Sequence, residues 1–238
     1  MNLRRFGYVL AIVAAGSLTA VAQDMFGGLE NTPRKAPTAK DVDIPEVQGV
    51  LVQADFNTDW KDESDAAAQA ELKDTIEGSV SFMIDVPFKK IVANMLKPGT
   101  LGKISPNISK YEAKVASDTD DAIKYKVHEE LVPFKLPFAT LGRSSVNLDM
   151  SINKRALKAG RLVVDYQLDK ELTSDWKRFT GSIYALDLHN GRTMVMVATS
   201  TKSNYTILPG LRLKLAKHFL AKTKDNIVNW MKDLETAK

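Results

Sequence analysis

Apolar and polar residues alternate strictly through several stretches of the chain. Val80, Phe82 and Ile84 interleave with Ser79, Ser81 and Asp85, and Tyr111, Ala113 and Val115 with Glu112 and Lys114. Ile123, Tyr125 and Val127 interleave with Lys124, Lys126 and His128. Val146, Leu148, Met150 and Ile152 interleave with Asn147, Asp149 and Ser151, and Leu162, Val164, Tyr166 and Leu168 with Arg161, Asp165 and Gln167. A period of two predicts antiparallel strands with one buried and one wet face. Two further runs, about 177–189 and 192–200, meet at Asn190-Gly191, a dipeptide of tight hairpins. Both are apolar enough on each side that the pattern leaves their inward parity open. Six strands are thus expected from about Tyr111 to Ser200, and one before them over 76–84.

The period then changes. Leu213, Ala216, Leu220, Ile227, Trp230, Met231 and Leu234 recur at helical spacing after Leu208-Pro209-Gly210, which predicts one long amphipathic helix to about Leu234. Its apolar stripe has only the preceding sheet to pack against. Between the first two strands, Pro87 suits a helix start, and Phe88, Ile91, Val92 and Met95 give a short amphipathic helix that Lys97-Pro98-Gly99 ends. A second short helical or looped piece is expected up to Pro106. Ahead of the first strand, Lys61–Lys73 reads as helical, and Val47–Asp55 has the composition of a short extra strand.

The N-terminus has a different character. Arg4-Arg5, the apolar run Tyr8–Ala15 and the small residues Ala20-Val21-Ala22 read as a secretory signal peptide over 1–22. Residues 23–45, with Gly27-Gly28, Pro33, Pro37 and Pro45, read as a flexible leader. Residues 46–75 form an N-terminal extension to a domain expected over 76–236. The chain has no cysteine, so an exported protein of this kind does without disulfides. That fits a bacterial periplasm better than an animal extracellular setting. The formal charge of +4 falls to about +2 without Arg4 and Arg5, which gives no support for nucleic-acid binding.

The element order is strand, two short helices, six strands, long helix. It resembles the START-like (SRPBCC) helix-grip superfamily, which includes polyketide cyclases, coenzyme Q-binding proteins and lipid-transfer proteins. The run Ile84-Asp85-Val86-Pro87-Phe88, the segment Pro106-Asn107-Ile108 and the hairpin Gly191-Arg192-Thr193 support the resemblance, which covers about Ile76 to Leu234. It implies an α+β fold: a curved seven-stranded antiparallel sheet gripping the C-terminal helix around an apolar cavity. A hydrophobic small molecule is the expected partner.

Candidate chemistry is sparse. His128, His189 and His218 do not stand at metal-ligand spacing, and no phosphate loop or serine elbow occurs. No cofactor or metal is called for. By strand parity Asp149 and Asp165 face water, so no catalytic residue is assigned. A cavity would be lined by Tyr111, Tyr125, Leu148, Met150, Val164, Tyr166 and Leu220, with the tyrosine hydroxyls as its polar atoms. Val132–Phe138 reads as a loop carrying Phe134, Leu136 and Phe138, suited to gating the cavity or to transient membrane contact. The basic run Arg212, Lys214, Lys217, Lys222 and Lys224 on the last helix is compatible with such contact. A protein-interaction module on the same fold is the alternative expectation, and a cyclase- or hydrolase-like enzyme a third. Oligomeric state is left open.

Overall fold

A computed structural model describes residues 50–97, 99, 102, 108–132, 134–136, 139–141, 143–204 and 209–236. The expected signal peptide, the leader and the stretch leading to Pro106 fall wholly or mostly outside the described residues. The strands are β1 (Val50–Phe56), β2 (Ile76–Ile84), β3 (Ile108–Asp118), β4 (Ala122–Leu131), β5 (Phe134–Leu136), β6 (Ala139–Leu141), β7 (Ser144–Asn153), β8 (Arg161–Leu168), β9 (Trp176–Asp187) and β10 (Thr193–Ser203). The helices are α1 (Ala66–Leu72), α2 (Phe88–Met95), α3 (Lys154–Lys158) and α4 (Pro209–Thr236), with a 3-10 turn at Asp59–Lys61. Eight strands make one antiparallel sheet in the order β1-β2-β10-β9-β8-β7-β4-β3, while β5 and β6 pair with each other.

The register explains why the alternating pattern folds this way. Val52, Val80, Val197, Ile183, Val164, Ile152 and Ile123 are successive cross-strand partners, so one apolar row runs across seven strands. A neighbouring row joins Val50, Phe82, Val195, Ala185 and Leu162. Stacked β-branched side chains of this kind stabilise a sheet pairwise. A slip of one residue would turn every one of them to water. Parity in β9 and β10, which periodicity left open, is set by this register: Ile183, Ala185, Val195 and Val197 face inward.

Onto this face pack Leu220, Ile227, Trp230 and Met231 of α4, with Phe88, Ile91 and Met95 of α2. Helix α4 runs closest to β1 and β2. The approach is tight at Gly78, where an added Cβ would lie 2.6 Å from Leu220 Cδ1. Pro87 stands at the N-cap of α2, as its fixed φ suits. Asp65 caps α1 by accepting from the Ala67 N–H at 3.1 Å.

Three expectations change. The sheet has eight strands, not seven. The seven expected from Ile76 onward are present, and β1 adds to the free edge of β2 in unbroken antiparallel register. The segment 132–138 is not a plain loop, because β5 begins a small hairpin within it. The β9–β10 turn is wider than a two-residue connection. It spans Leu188–Arg192, with His189 at φ 57° and Gly191 at φ 79° and the Leu188 N–H donating to the Arg192 carbonyl at 3.2 Å.

Trp230 is 1% exposed at the centre of this core. Replacing it with alanine should cost about 3–5 kcal/mol. The urea midpoint of unfolding checks this, with an unchanged midpoint contradicting the placement of α4.

Candidate functional site

The inward face is closed at its middle and partly open at one end. Val80, Val146, Ile152, Leu162 and Val164 have no exposed surface. The inward positions where β3 and β9 begin and β4 ends are different: Tyr111, Glu129, Tyr166, Phe179 and Trp176 all keep partial exposure. They come from four strands and converge because the register brings their ends together. Glu129 stands opposite Tyr111 on β3 and Val146 on β7. Tyr166 is paired with Met150 on one side and Gly181 on the other. Phe179 packs against both Tyr166 (ring centroids 5.8 Å apart) and Trp176 (5.2 Å, edge to face).

Gly181 makes room for Tyr166. A Cβ there would stand 2.5 Å from the Tyr166 hydroxyl and 2.2 Å from the Ala198 carbonyl oxygen. The phenol therefore lies across the β9 backbone, its hydroxyl 3.4 Å from that carbonyl.

The polar atoms of this region are under-satisfied. The Tyr111 hydroxyl and the Trp176 indole N–H are buried without a hydrogen-bond partner. The Glu129 carboxylate has none among the described residues. Burial pushes the Glu129 carboxyl up to about 7, slightly offset by His128 on the adjoining position. Burial likewise pushes the Tyr166 phenol up to about 12. It raises Tyr111 further still, with the Glu129 charge adding to the effect. Each phenol is a neutral hydrogen-bond donor at any physiological pH. Together these groups are apolar walls with a few convergent polar atoms, the ordinary make-up of a small-molecule site.

The residues singled out from the sequence fall in two places. Tyr125, Leu148, Met150, Val164 and Leu220 are in the closed core, each at most 7% exposed. Tyr111 and Tyr166 belong to the partly open end. Phe134 and Leu136 lie on β5, and Phe138 lies outside the described residues. Asp149 and Asp165 face outward, as their parity implies. Asp165 accepts from Ser182 Oγ at 2.5 Å, and Asp149 shares Lys126 with Asp169, at 2.8 Å to each. His128 also faces outward, its Nδ1 2.8 Å from Asn147 Oδ1.

Glu129, Phe179 and Trp176 were not anticipated. The inward set is not wholly apolar, because the alternation of Ile123, Tyr125 and Val127 continues one step to Glu129. That extension was visible in the sequence. Phe179 and Trp176 were not: Phe179 shares the inward parity of Ile183, which periodicity left open for β9, and Trp176 lies beyond a register slip between Lys202 and Ser203.

A concavity lies on the other face. A broad, open cleft of about 1550 Å³ crosses the strands over outward-facing Ser79, Ser151, Thr180, Ser182 and Ser200 and reaches the β1 edge. Its lining is hydroxyl-rich and charged. No group of three or more potential metal-ligating side chains occurs among the described residues.

No protein-family model matches the chain, and no curated protein matches it in sequence. Solved structures do match. Human StAR-related lipid transfer protein 5 is similar over 91% of this chain and 95% of its own, at 10% identity and a TM-score of 0.58. The human StarD13 (DLC2) lipid transfer and protein localization domain is similar over 89% and 96%, at 10% identity and 0.51. The STAR-related lipid transfer protein of Xanthomonas axonopodis is similar over 80% and 95%, at 10% identity and 0.50. The chain therefore has the START-like helix-grip fold.

The raised Glu129 sets a pH dependence. A carboxyl that is neutral in the folded state up to about 7 but ionises near 4.5 when unfolded opposes folding once the unfolded chain has lost its proton. Stability should therefore fall as pH rises from about 4.5 to about 7, by up to about 3 kcal/mol from this group. Glu129→Gln should remove that portion. Thermal midpoints of both proteins across pH 4.5–8 test it, and parallel curves would show that Glu129 is not in this environment.

Proposed function

We propose that the protein is an exported carrier that sequesters a hydrophobic small molecule, such as a lipid, quinone or sterol-like compound, between its sheet and α4. The observation that carries this reading is the convergence of Tyr111, Glu129, Tyr166, Phe179 and Trp176 at the partly open end of an otherwise apolar interior. Unpartnered polar atoms in such a place are costly. A ligand head that accepts from Tyr111 and Trp176 and donates to Glu129 relieves that cost, while its apolar body leaves water at about 25 cal/mol per Å². The fold shared with lipid-transfer domains supports the same reading. Export rests on the N-terminal pattern, and a bacterial periplasm on the absence of cysteine. The β5–β6 hairpin, carrying Phe134 and Leu136, follows directly from the end of β4 beside Glu129, a fitting place for a gate or for transient membrane contact.

One observation favours a second reading. An inward carboxyl titrating near neutrality is the acid–base group that an enzyme on this scaffold would need. Against it, no lysine or arginine shares the inward strand positions among the described residues, so the charged pair of a cyclase- or hydrolase-like site is missing there.

Purification of the mature protein from its own host, followed by solvent extraction and mass spectrometry, should give one hydrophobic compound in stoichiometric amount. Tyr166→Ala should weaken rebinding of that compound by roughly tenfold or more, as expected for losing a buried aromatic contact, while the domain stays folded by circular dichroism. An empty extract, together with no uptake of an apolar dye, would overturn the carrier reading.

A further inference from the structure

The two edges of the sheet are unlike. The β3 edge is broken by register shifts between Ile108 and Lys110 and between Val115 and Ser117, and it carries Lys110, Glu112 and Lys114. Bulges and charges are the usual devices that keep an edge from pairing. The β1 edge has no bulge and little charge. Its seven residues pair with β2 without a break, it holds a single charge, Asp55, and Val50 and Leu51 are 38% and 52% exposed.

The direction of its backbone groups follows from one bond. The Asn57 N–H donates to the Thr75 carbonyl at 2.8 Å, so odd-numbered positions turn toward β2 and even-numbered ones toward the open edge. Phe56 has its N–H satisfied by Asp55 Oδ1 at 2.8 Å. Val50, Val52 and Ala54 keep theirs without a partner among the described residues. The cleft described above runs along this edge, and Lys217 and Ala221 of α4 line it together with Val52, Ala54 and Phe56. Lys214, Lys217 and Lys222 are exposed along α4.

We propose that β1 is a docking edge for an extended peptide of a partner protein, which adds a ninth strand through the open groups of Val50, Val52 and Ala54. Its acidic residues lie at the alternate positions that face Lys217, and its apolar residues face Leu51. Strand addition of this kind draws affinity from main-chain bonds and specificity from alternate side chains. Charge decides against a second copy of this chain. A twofold joint through β1 pairs Val52 with itself and sets two basic α4 faces on the same side of the joint, where like charges repel. The inference does not depend on the carrier reading.

The test uses the full chain and a fluorescein-labelled, end-blocked nonapeptide of alternating valine and aspartate, followed by fluorescence polarisation at low salt. Binding is expected, and it should be lost when every second amide is N-methylated or when lysine replaces aspartate. Val52→Pro removes an outward N–H without touching the β1–β2 ladder and should abolish binding. Lys217→Glu, on an exposed helix position, should weaken it by roughly tenfold or more and keeps the test decisive if the proline variant does not fold. Absence of binding, equal binding of the N-methylated peptide, or concentration-dependent dimerisation in sedimentation without peptide binding would each overturn the proposal.

Discussion

Eight strands spaced about 4.8 Å apart make a sheet roughly 34 Å across, whereas one helix with its side chains is only about 10–12 Å wide. A single long helix can dry one face of such a sheet only if the sheet bends around it and smaller elements fill the remainder. Helix α4 takes the β1–β2 side. Helix α2 supplies Phe88, Ile91 and Met95 to the same core. The middle of the sheet is closed by this arrangement. The end where β4 finishes and β9 begins is not.

The interior is unevenly covered. Where the cover is complete, the strands contribute valine, isoleucine and leucine with no exposed surface. Where it thins, the same inward parity contributes Glu129, Tyr111, Tyr166 and Trp176, whose polar atoms find few protein partners. The change along one strand is abrupt, since Val127 is 3% exposed and buried in the core while Glu129, two residues on, faces the open end. A carboxyl there weakens the folded state at neutral pH. Its position does not serve packing, and the proposed ligand contact would account for it.

The outward face follows another logic. Small hydroxyl residues on β2, β9 and β10 keep its centre low, and charged pairs such as Lys126 with Asp149 and Asp169 stand above it. The Lys126–Asp149 pair is exposed on both sides and adds little to stability, whereas Asp169 is buried. The continuity of this face with the undefended β1 edge distinguishes it from the β3 side, where bulges and alternating charge discourage pairing.

Local patterning sufficed for every element whose two faces differ clearly. Strict alternation from Val146 to Ile152 and from Leu162 to Leu168 could form only half-buried strands, and the stripe from Leu220 to Met231 could form only a helix with one dry side. The order of these elements was enough to reach the helix-grip fold. Parity read one step past Val127 would also have placed Glu129 inward. Other features depend on residues far apart in the chain. The turning of β9 and β10 is decided by pairing with β2 and β8, because both faces of those strands are apolar enough to be buried. Membership of β1 in the sheet is decided by the free edge of β2. Tyr166 owes its position to Gly181, fifteen residues away, and the exposure that separates Tyr111 from Tyr125 comes from how far the helices reach over the sheet. A one-dimensional pattern states which face of a strand avoids water. Which part of that face is covered, and by what, is set only when the strands are laid side by side.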